Sequence, residues 1–319
     1  MNSEVTVGGE SVRWERATIE KLLLAQVRER RAARRWRMLK SLIWIGLIAA
    51  LVWALVTQPS VPKSTSHVTH TAMVSIKGEI AEKGESSAEN ILPAMRSALD
   101  DSGSKALVLL INSPGGSPVQ AGLINDEIRR LRKKHGKPIY AVVEDTCASA
   151  AYYIASAADK IYVDKASIVG SIGVLMDGFG FVDTLDKLGV ERRLMTAGAN
   201  KGFLDPFSPQ TDEQRKFAQV MLDQIHQQFI NVVKQGRGDR LKENAEMFSG
   251  LFWTGEQSLQ LGLADAYGSL DSVARDVVKA EEVVDYSTKD NIAERVAKRF
   301  GAAVGAGAVS ALRTLPAIR

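Results

Sequence analysis

The chain contains almost no cysteine and little histidine. Cys147 is the only cysteine among 319 residues, so an intrachain disulfide and a four-cysteine zinc site are both excluded. The four histidines are His67, His70, His135 and His226. None of them follows a predicted strand, which argues against a Ser-His-Asp arrangement and against a histidine-based metal site. We therefore expect this chain to use neither a metal nor a cofactor.

A strong excess of charge is also absent. The formal net charge is +4, and the basic residues are concentrated before residue 41. No nucleic-acid-binding motif is present, and the basic run lacks the interleaved aromatic side chains on which bases would stack. We predict no nucleic-acid partner. The hydrophobic content of 45% and the charged content of 24% are ordinary for a globular protein.

One long hydrophobic run is present near the N-terminus. Residues 42–56 are uninterruptedly apolar, and with their flanks they form a segment, 38–57, long enough to span a bilayer as a helix. Basic residues precede this segment and few charges follow it, so the positive-inside rule places residues 1–37 in the cytoplasm. A cleaved signal peptide is the alternative. The long preceding region and the missing small-x-small pattern at Thr57-Gln58-Pro59 favour an uncleaved signal anchor.

Strand and helix patterns alternate after a linker, 58–71, that is rich in Pro, Ser, Thr and His. Residues 106–111 form a continuous apolar run, which is typical of a strand buried on both faces of a sheet. An amphipathic helix follows, and 139–143 is the next apolar strand. This alternation predicts an α/β domain with a parallel sheet over residues 72–285. Residues 286–319 are predicted to form a C-terminal tail.

Three loops at the ends of predicted strands carry residues suited to catalysis. The first contains Gly115 and Gly116, whose bare backbone N–H groups can approach a ligand closely. Ser149 opens a helix in the second loop, and Ser171 lies between glycines in the third. A serine at a strand-to-helix junction is well placed to be a nucleophile, although a plain N-cap is the commoner role. Cys147 is the competing nucleophile, and we interpret it as a small buried residue.

Lys201 is the candidate base for Ser149. It lies in a glycine-flanked segment, Gly198-Ala199-Asn200-Lys201-Gly202, and Phe203 and Leu204 follow it. A lysine removes a proton efficiently only where its surroundings lower its pKa, and apolar neighbours have that effect. A solvated loop lysine is the alternative interpretation.

These motifs, taken in order, resemble signal peptide peptidase A, a family of membrane-anchored serine peptidases with a crotonase-like (ClpP-like) fold. The resemblance extends from about Met73 to Asp285. It rests on Ile111 to Gly116 (INSPGG), Ala148 to Ala155 (ASAAYYIA), Ala157 to Ile161 (AADKI), Gly170 to Val174 (GSIGV), the lysine segment, Phe252 to Leu259 (FWTGEQSL) and Gly262 to Asp265 (GLAD). It implies an α/β domain of this fold after a single N-terminal transmembrane helix.

The resemblance implies a role for each candidate residue. Ser149 is expected to be the nucleophile, Lys201 the general base, and Ser171 the residue that orients the lysine amine. The expected oxyanion hole consists of backbone N–H groups of Gly115, Gly116 and Ala150.

The chain departs from the family pattern directly after the nucleophile. The family usually has Gly-Gly at this point, whereas this chain has Ala150-Ala151. We expect the two methyl groups to narrow the site or to alter its backbone angles.

The resemblance also implies assembly, substrate and location. Short members of the family complete the dyad across a subunit boundary in an octameric ring, so we expect a homo-oligomer. The expected enzyme is a single-pass endopeptidase of the cytoplasmic membrane with a periplasmic or extracellular catalytic domain. Its expected substrates are unfolded segments and residual signal peptides left after preprotein processing. Two alternatives remain: a crotonase-type acyl-CoA enzyme, and a catalytically silent membrane scaffold with the same fold.

Overall fold

The computed structural model describes residues 36–48, 50 and 68–287. Residues 36–48 are helical and exposed. Within the described ranges, no helix is both long and apolar enough to cross a membrane. Residues 49 and 51–57 of the predicted anchor, 38–57, lie outside the described residues, and so does most of the predicted linker, 58–71. The fold described below belongs to the unit Ser64–Lys289.

Strands and helices alternate along this unit. The strands are β1 (His70–Lys77), β2 (Ser104–Ser113), β3 (Ile139–Ala148), β4 (Lys160–Val163), β5 (Ile168–Gly170), β6 (Phe252–Thr254), β7 (Ala266–Tyr267) and β8 (Val283–Asp285). The helices are α1 (Ala88–Asp100), α2 (Pro118–His135), α3 (Ala150–Ala155), α4 (Val182–Lys187), α5 (Asp212–Arg237), α6 (Gly255–Gln260) and α7 (Leu270–Ser272). A 3₁₀ turn (Gly238–Arg240) follows α5, and a π-helical turn (Val273–Val278) follows α7.

The strands form one sheet in the order β6-β5-β3-β2-β1-β8. Every pairing is parallel except that between β5 and β6. Strand β3 changes partner along its length, because its first half pairs with β4 and its last three residues pair with β5. Strand β7 extends the sheet beyond β4. The predicted α/β class with a mainly parallel sheet is confirmed.

Apolar side chains cover both faces of the central strand β2. Leu107, Leu109 and Ile111 belong to the main core, while Val108 and Leu110 belong to a smaller cluster on the opposite face. Two-sided burial is the reason that this strand appears in the sequence as a continuous apolar run. The sheet therefore provides a rigid support for the loops at its carboxyl end.

Helix α2 has clear end signals. The Ser117 side chain accepts a hydrogen bond from the backbone N–H of Gln120, and Pro118 occupies the first helical turn. Gly136 ends the helix in the left-handed conformation, with a φ of 63°. The amphipathic helix predicted over residues 119–133 is therefore present, with one extra residue at its start and two at its end.

Strand β1 begins at His70, two residues before residue 72, where the α/β domain is expected to begin. The His70 ring is buried, and its Nε2 lies 3.0 Å from the hydroxyl oxygen of Tyr286. The Tyr286 hydroxyl donates in turn to a carboxylate oxygen of Asp101 at 2.6 Å. The sequence assigned His70 to the linker and Tyr286 to the tail, but His70 begins the first strand and Tyr286 directly follows the last.

A buried ion pair connects α5 to the start of β7. The guanidinium of Arg237 has no exposed side-chain surface, and it donates to both carboxylate oxygens of Asp265 at 2.8 and 2.9 Å. Asp265 also accepts from the backbone N–H of Ile161 at 2.7 Å. Burial raises the pKa of Asp265, but the hydrogen bonds and charge of Arg237 outweigh it and leave that pKa below its usual value. This pair explains the aspartate of the final sequence motif.

Candidate active site

Ser149 lies in a strained turn between β3 and α3. Its φ is 52°, a conformation that residues with a side chain rarely adopt, and its backbone N–H donates to the carbonyl of Gly170 at 2.8 Å. Strain of this kind is concentrated at functional sites. The Ser149 side chain makes no capping hydrogen bond to α3, although it occupies the N-cap position. The geometry therefore favours a nucleophile over a plain helix cap.

Ser171 occupies the equivalent position on the neighbouring strand. Ala148 pairs with Gly170, so the two serines follow directly after paired residues at the carboxyl ends of β3 and β5. Ser171 also has a φ of 52°, and its backbone N–H donates to the carbonyl of Leu251 at 2.8 Å. The structure thus brings Ser149 and Ser171 together at one edge of the sheet.

Both serines line a cavity of about 570 Å³. Its apolar wall includes Tyr153 and Phe229, whose ring centroids lie 5.2 Å apart, together with Ile225. Among the described residues that line it, none carries a charged side chain. The cavity can therefore hold a neutral segment with an apolar side chain, but it supplies no base of its own to activate Ser149.

The glycine loop presses directly against Ser149. A Cβ atom on Gly115 would lie 2.8 Å from the Cβ of Ser149 and 3.0 Å from the backbone nitrogen of Ala150, so only glycine fits there. The Gly115 N–H is buried and donates to the hydroxyl of Ser113 at 3.2 Å. Gly116 and Ala150 line the cavity, whereas Gly115 does not. Of the three residues predicted for the oxyanion hole, two therefore line the cavity that Ser149 borders.

The two alanines after Ser149 are accommodated in different places. Ala150 lines the cavity, and Ala151 is fully buried in the main core. The methyl group of Ala151 therefore contributes to packing, and only that of Ala150 borders the site.

Lys201 does not line the cavity of its own chain. It is exposed, in a turn where its backbone N–H donates to the carbonyl of Gly198 at 3.1 Å. The turn belongs to a segment, residues 174–222, that we name the exposed arm. The large apolar side chains that the exposed arm presents to solvent are Leu175, Met176, Phe179, Phe181, Leu188, Val190, Leu194, Met195, Phe207, Phe217 and Val220. Exposed apolar surface of this extent is typical of surfaces that contact another protein, a membrane or a ligand.

Cys147 is fully buried and is the residue before the last in β3. Burial raises the pKa of its thiol, which disfavours the nucleophilic thiolate. The interpretation of Cys147 as a small packing residue is confirmed.

His226 lies near the site, which the sequence did not indicate. Its Nε2 lies 3.0 Å from the carbonyl oxygen of Ile172, the residue between the cavity-lining Ser171 and Gly173. On α5 it is adjacent to Ile225, which lines the cavity wall. A helical face containing Ile225, His226 and Phe229 was the signal available in the sequence, since residues three and four apart share a face. The ring therefore connects α5 to the loop that carries Ser171.

Loss of this connection should slow catalysis. We expect His226→Leu to lower kcat about fivefold, because a hydrogen bond of ~1 kcal/mol no longer holds the Ser171 loop. His226→Gln, which keeps a donor on a side chain of similar length, should recover most of the rate. Gln227→Leu, on the exposed side of the same helix, is the control. Equal kcat values for His226→Leu and Gln227→Leu would contradict a positioning role.

Comparison with known proteins places this site in a family. Residues 131–284 match Peptidase family S49. The chain is 30% identical over 220 residues to a putative signal peptide peptidase SppA of Enterococcus faecium, covering 66% of this chain and 64% of that protein. It is 32% identical over 219 residues to protease 4 of Haemophilus influenzae, covering 67% of this chain and 35% of that protein.

A third relative carries a different name. Over 181 residues the chain is 46% identical to a protein of Brucella abortus (strain 2308) named Na(+)/H(+) antiporter NhaA, covering 57% of this chain and 25% of that protein. The chain thus spans between 25% and 64% of the length of these three relatives. Because so little of the Brucella protein is matched, its name does not extend to this chain. The peptidase match and the two peptidase relatives agree, and the chain belongs to the signal peptide peptidase A family of serine peptidases, peptidase family S49.

Proposed function

We propose that this chain is a membrane-anchored serine endopeptidase whose active site forms between two copies of the chain. The observation that carries the proposal is the cavity around Ser149 and Ser171, where no described lining residue carries a charged side chain that could act as a base. Lys201, on the exposed arm, is available to a neighbouring copy. Apolar surface that becomes buried on assembly would remove the lysine amine from water, which favours its neutral form.

The proposed reaction is acyl transfer through a serine ester. The neutral amine of Lys201 accepts the hydroxyl proton of Ser149 as the oxygen attacks the peptide carbonyl. Backbone N–H groups of Gly116 and Ala150 stabilise the oxyanion. The lysine returns the proton to the leaving amine as the C–N bond breaks. It then takes a proton from a water molecule as the water oxygen attacks the ester, and it gives that proton to the Ser149 oxygen as the ester C–O bond breaks and the acid is released.

The proposed position of Ser171 suits a supporting role in this reaction. It borders the same cavity as Ser149 and follows the paired strand. Its hydroxyl can accept a hydrogen bond from the lysine amine and hold the nitrogen lone pair toward Ser149. This is the role that the family resemblance implies for Ser171.

The proposed substrates are signal peptides that remain in the cytoplasmic membrane. The cavity wall of Tyr153, Ile225 and Phe229 suits an apolar side chain of such a peptide. The same uncharged lining disfavours an acyl-CoA substrate, whose phosphates need cationic partners. The proposed topology has residues 1–37 in the cytoplasm and the peptidase unit outside it. Protease added to intact spheroplasts should degrade that unit and spare the N-terminus.

Mixing two inactive variants tests the shared site. Ser149→Ala and Lys201→Ala should each be inactive alone. Co-assembled in equal amounts, they should recover about a quarter of wild-type activity, because random mixing pairs an intact serine with an intact neighbouring lysine at that frequency. Cleavage of a quenched fluorescent peptide with apolar residues measures the recovery.

The control is the double variant Ser149→Ala/Lys201→Ala mixed with Ser149→Ala, which contains no intact serine and should stay inactive. Absence of recovery in the first mixture, with mixed oligomers verified, would contradict the shared site. A fluorophosphonate probe that never labels Ser149 in the wild-type oligomer would instead favour a catalytically silent scaffold.

A further inference from the structure

A second cavity, of about 730 Å³, lies at the opposite end of the sheet from Ser149. Pro138, Tyr140 and Lys160 line it where β3 and β4 begin, whereas Ser149 follows the end of β3. Ten strand residues at roughly 3.3 Å each separate the two positions by about 30 Å. A peptide bound at Ser149 therefore does not account for the composition of this second cavity, which we name the basic cavity.

The basic cavity concentrates positive charge on an acidic unit. The cationic residues that line it are Arg129, Arg132, Lys133, Lys137 and Lys160, and the only carboxylate among its lining residues is Asp159. Over residues 68–287 as a whole, 30 Asp and Glu residues outnumber 24 Lys and Arg residues. The positive charge is therefore a local feature, opposite in sign to that of the surrounding domain.

The single carboxylate is already engaged. Asp159 forms an ion pair with Arg132, and its second oxygen accepts the backbone N–H of Ile139 at 2.8 Å. Arg132 therefore has a carboxylate partner, and the other four cationic residues that line the cavity have none among its lining residues. Lys133 and Lys160 are exposed, and in the described part of the chain neither forms an ion pair.

Stabilisation of the α2 helix dipole does not explain all of the cationic residues that line the basic cavity. Arg132 and Lys133 lie in the last turn of α2, where cations stabilise the helix dipole. Lys160 begins β4 and Arg129 lies a turn earlier, so neither is placed for that purpose. Burial lowers the pKa of Arg129, which means that part of this charge is held away from water. A bound anion would relieve the cost of holding these charges close together.

The geometry points to the basic cavity as a binding site for a phosphate group, carried by a phospholipid headgroup or by a soluble phosphate ester. Guanidinium and ammonium groups are the side chains that bind phosphate oxygens best, through charge-assisted hydrogen bonds. Lys133 and Lys160 would donate from the two sides of the cavity, and Arg129 from its wall. Tyr140 and Pro138 supply a less polar surface for the group that carries the phosphate.

Titration calorimetry on the full-length chain in a neutral detergent tests this site. The Ser149→Ala background is used, so that binding is measured independently of the proposed peptidase activity. The probes are inorganic pyrophosphate and, separately, phosphatidylglycerol added to the micelles, with phosphatidylcholine as the zwitterionic comparison. Lys133→Ala/Lys160→Ala should weaken binding of the preferred probe at least tenfold. Lys83→Ala/Lys242→Ala, which removes the same charge from exposed positions outside the cavity, should change it less than twofold.

The two probes identify the source of the phosphate. Binding of phosphatidylglycerol that depends on Lys133 and Lys160 assigns a lipid headgroup, and lysine-dependent binding of pyrophosphate alone assigns a soluble ligand. Equal weakening by both double variants would overturn the proposal, since it would reflect net charge only. Failure of the Ser149→Ala chain to bind either probe would overturn it as well. Neither result would bear on the peptidase proposal.

Discussion

Replacement of Ser149 by alanine should abolish peptide hydrolysis while the fold persists. Removal of a serine nucleophile from a comparable catalytic unit costs about 10⁴-fold or more in kcat. The structural cost should be small, because the Ser149 side chain makes no capping bond and alanine keeps the Cβ atom that the strained turn already accommodates. Hydrolysis of a quenched fluorescent peptide and the Tm of the oligomer together measure both effects.

Cys147→Ala is the matched control for this experiment. Cys147 lies two residues before Ser149 and is the other nucleophile that the sequence offers. Its burial in the core predicts nearly unchanged kcat and a modestly lowered Tm. A Ser149→Ala variant that still hydrolyses peptide, or a Cys147→Ala variant that does not, would transfer the nucleophile to Cys147.

Replacement of Arg237 by leucine should cause the largest loss of stability. The change leaves the buried carboxylate of Asp265 without its bidentate partner, and breaking a buried pair in this way costs about 3–5 kcal/mol in free energy of unfolding. It also removes the donor to the carbonyl of Gly262. Urea unfolding of the full chain, followed by circular dichroism, measures the change.

Arg240→Leu is the control, because Arg240 contacts the same carboxylate at 3.3 Å from a half-exposed position. We expect it to cost less than about 1 kcal/mol. The difference in free energy of unfolding between the wild type and Arg237→Leu should also depend on pH. Folding lowers the pKa of Asp265, so the stability that its ionised carboxylate contributes is complete above about pH 4, the pKa of an aspartate in the unfolded chain. This stability is lost as the pH falls through the lowered pKa of the folded state. Equal stability of the two variants near pH 7 would contradict the importance of the buried pair.

The sequence predicted the central elements because their patterns are local. Residues 106–111 appear as a buried strand, and α2 has a serine cap, a proline at its start and a glycine at its end. Ser149 and Ser171 were each recognisable at strand ends. That these two serines lie close together could not be predicted, because it depends on β3 pairing with β4 near its start and with β5 at its end. Register between strands far apart in sequence is decided by tertiary packing.

Other features of the site arise from contacts that no local pattern encodes. His226 shares a helical face with Ile225 and Phe229, but only the packing of α5 brings its ring to Ile172. The donation from Gly115 to Ser113 likewise depends on how the loop folds back. The resemblance identified Lys201 as the candidate base. Its position within one chain, however, depends on the exposed arm, which has few contacts to the core.

The pairing of the first and last strands has a mechanical consequence. The described fold begins with β1 and ends after β8, and these strands pair in parallel through Thr71 and Val283. A pulling force applied between residues 70 and 286 would therefore act on this short ladder and on the contact between His70 and Tyr286. The remaining strands would carry almost none of the load. Tension between these two residues would detach β8 while leaving the serine-bearing edge of the sheet undisturbed.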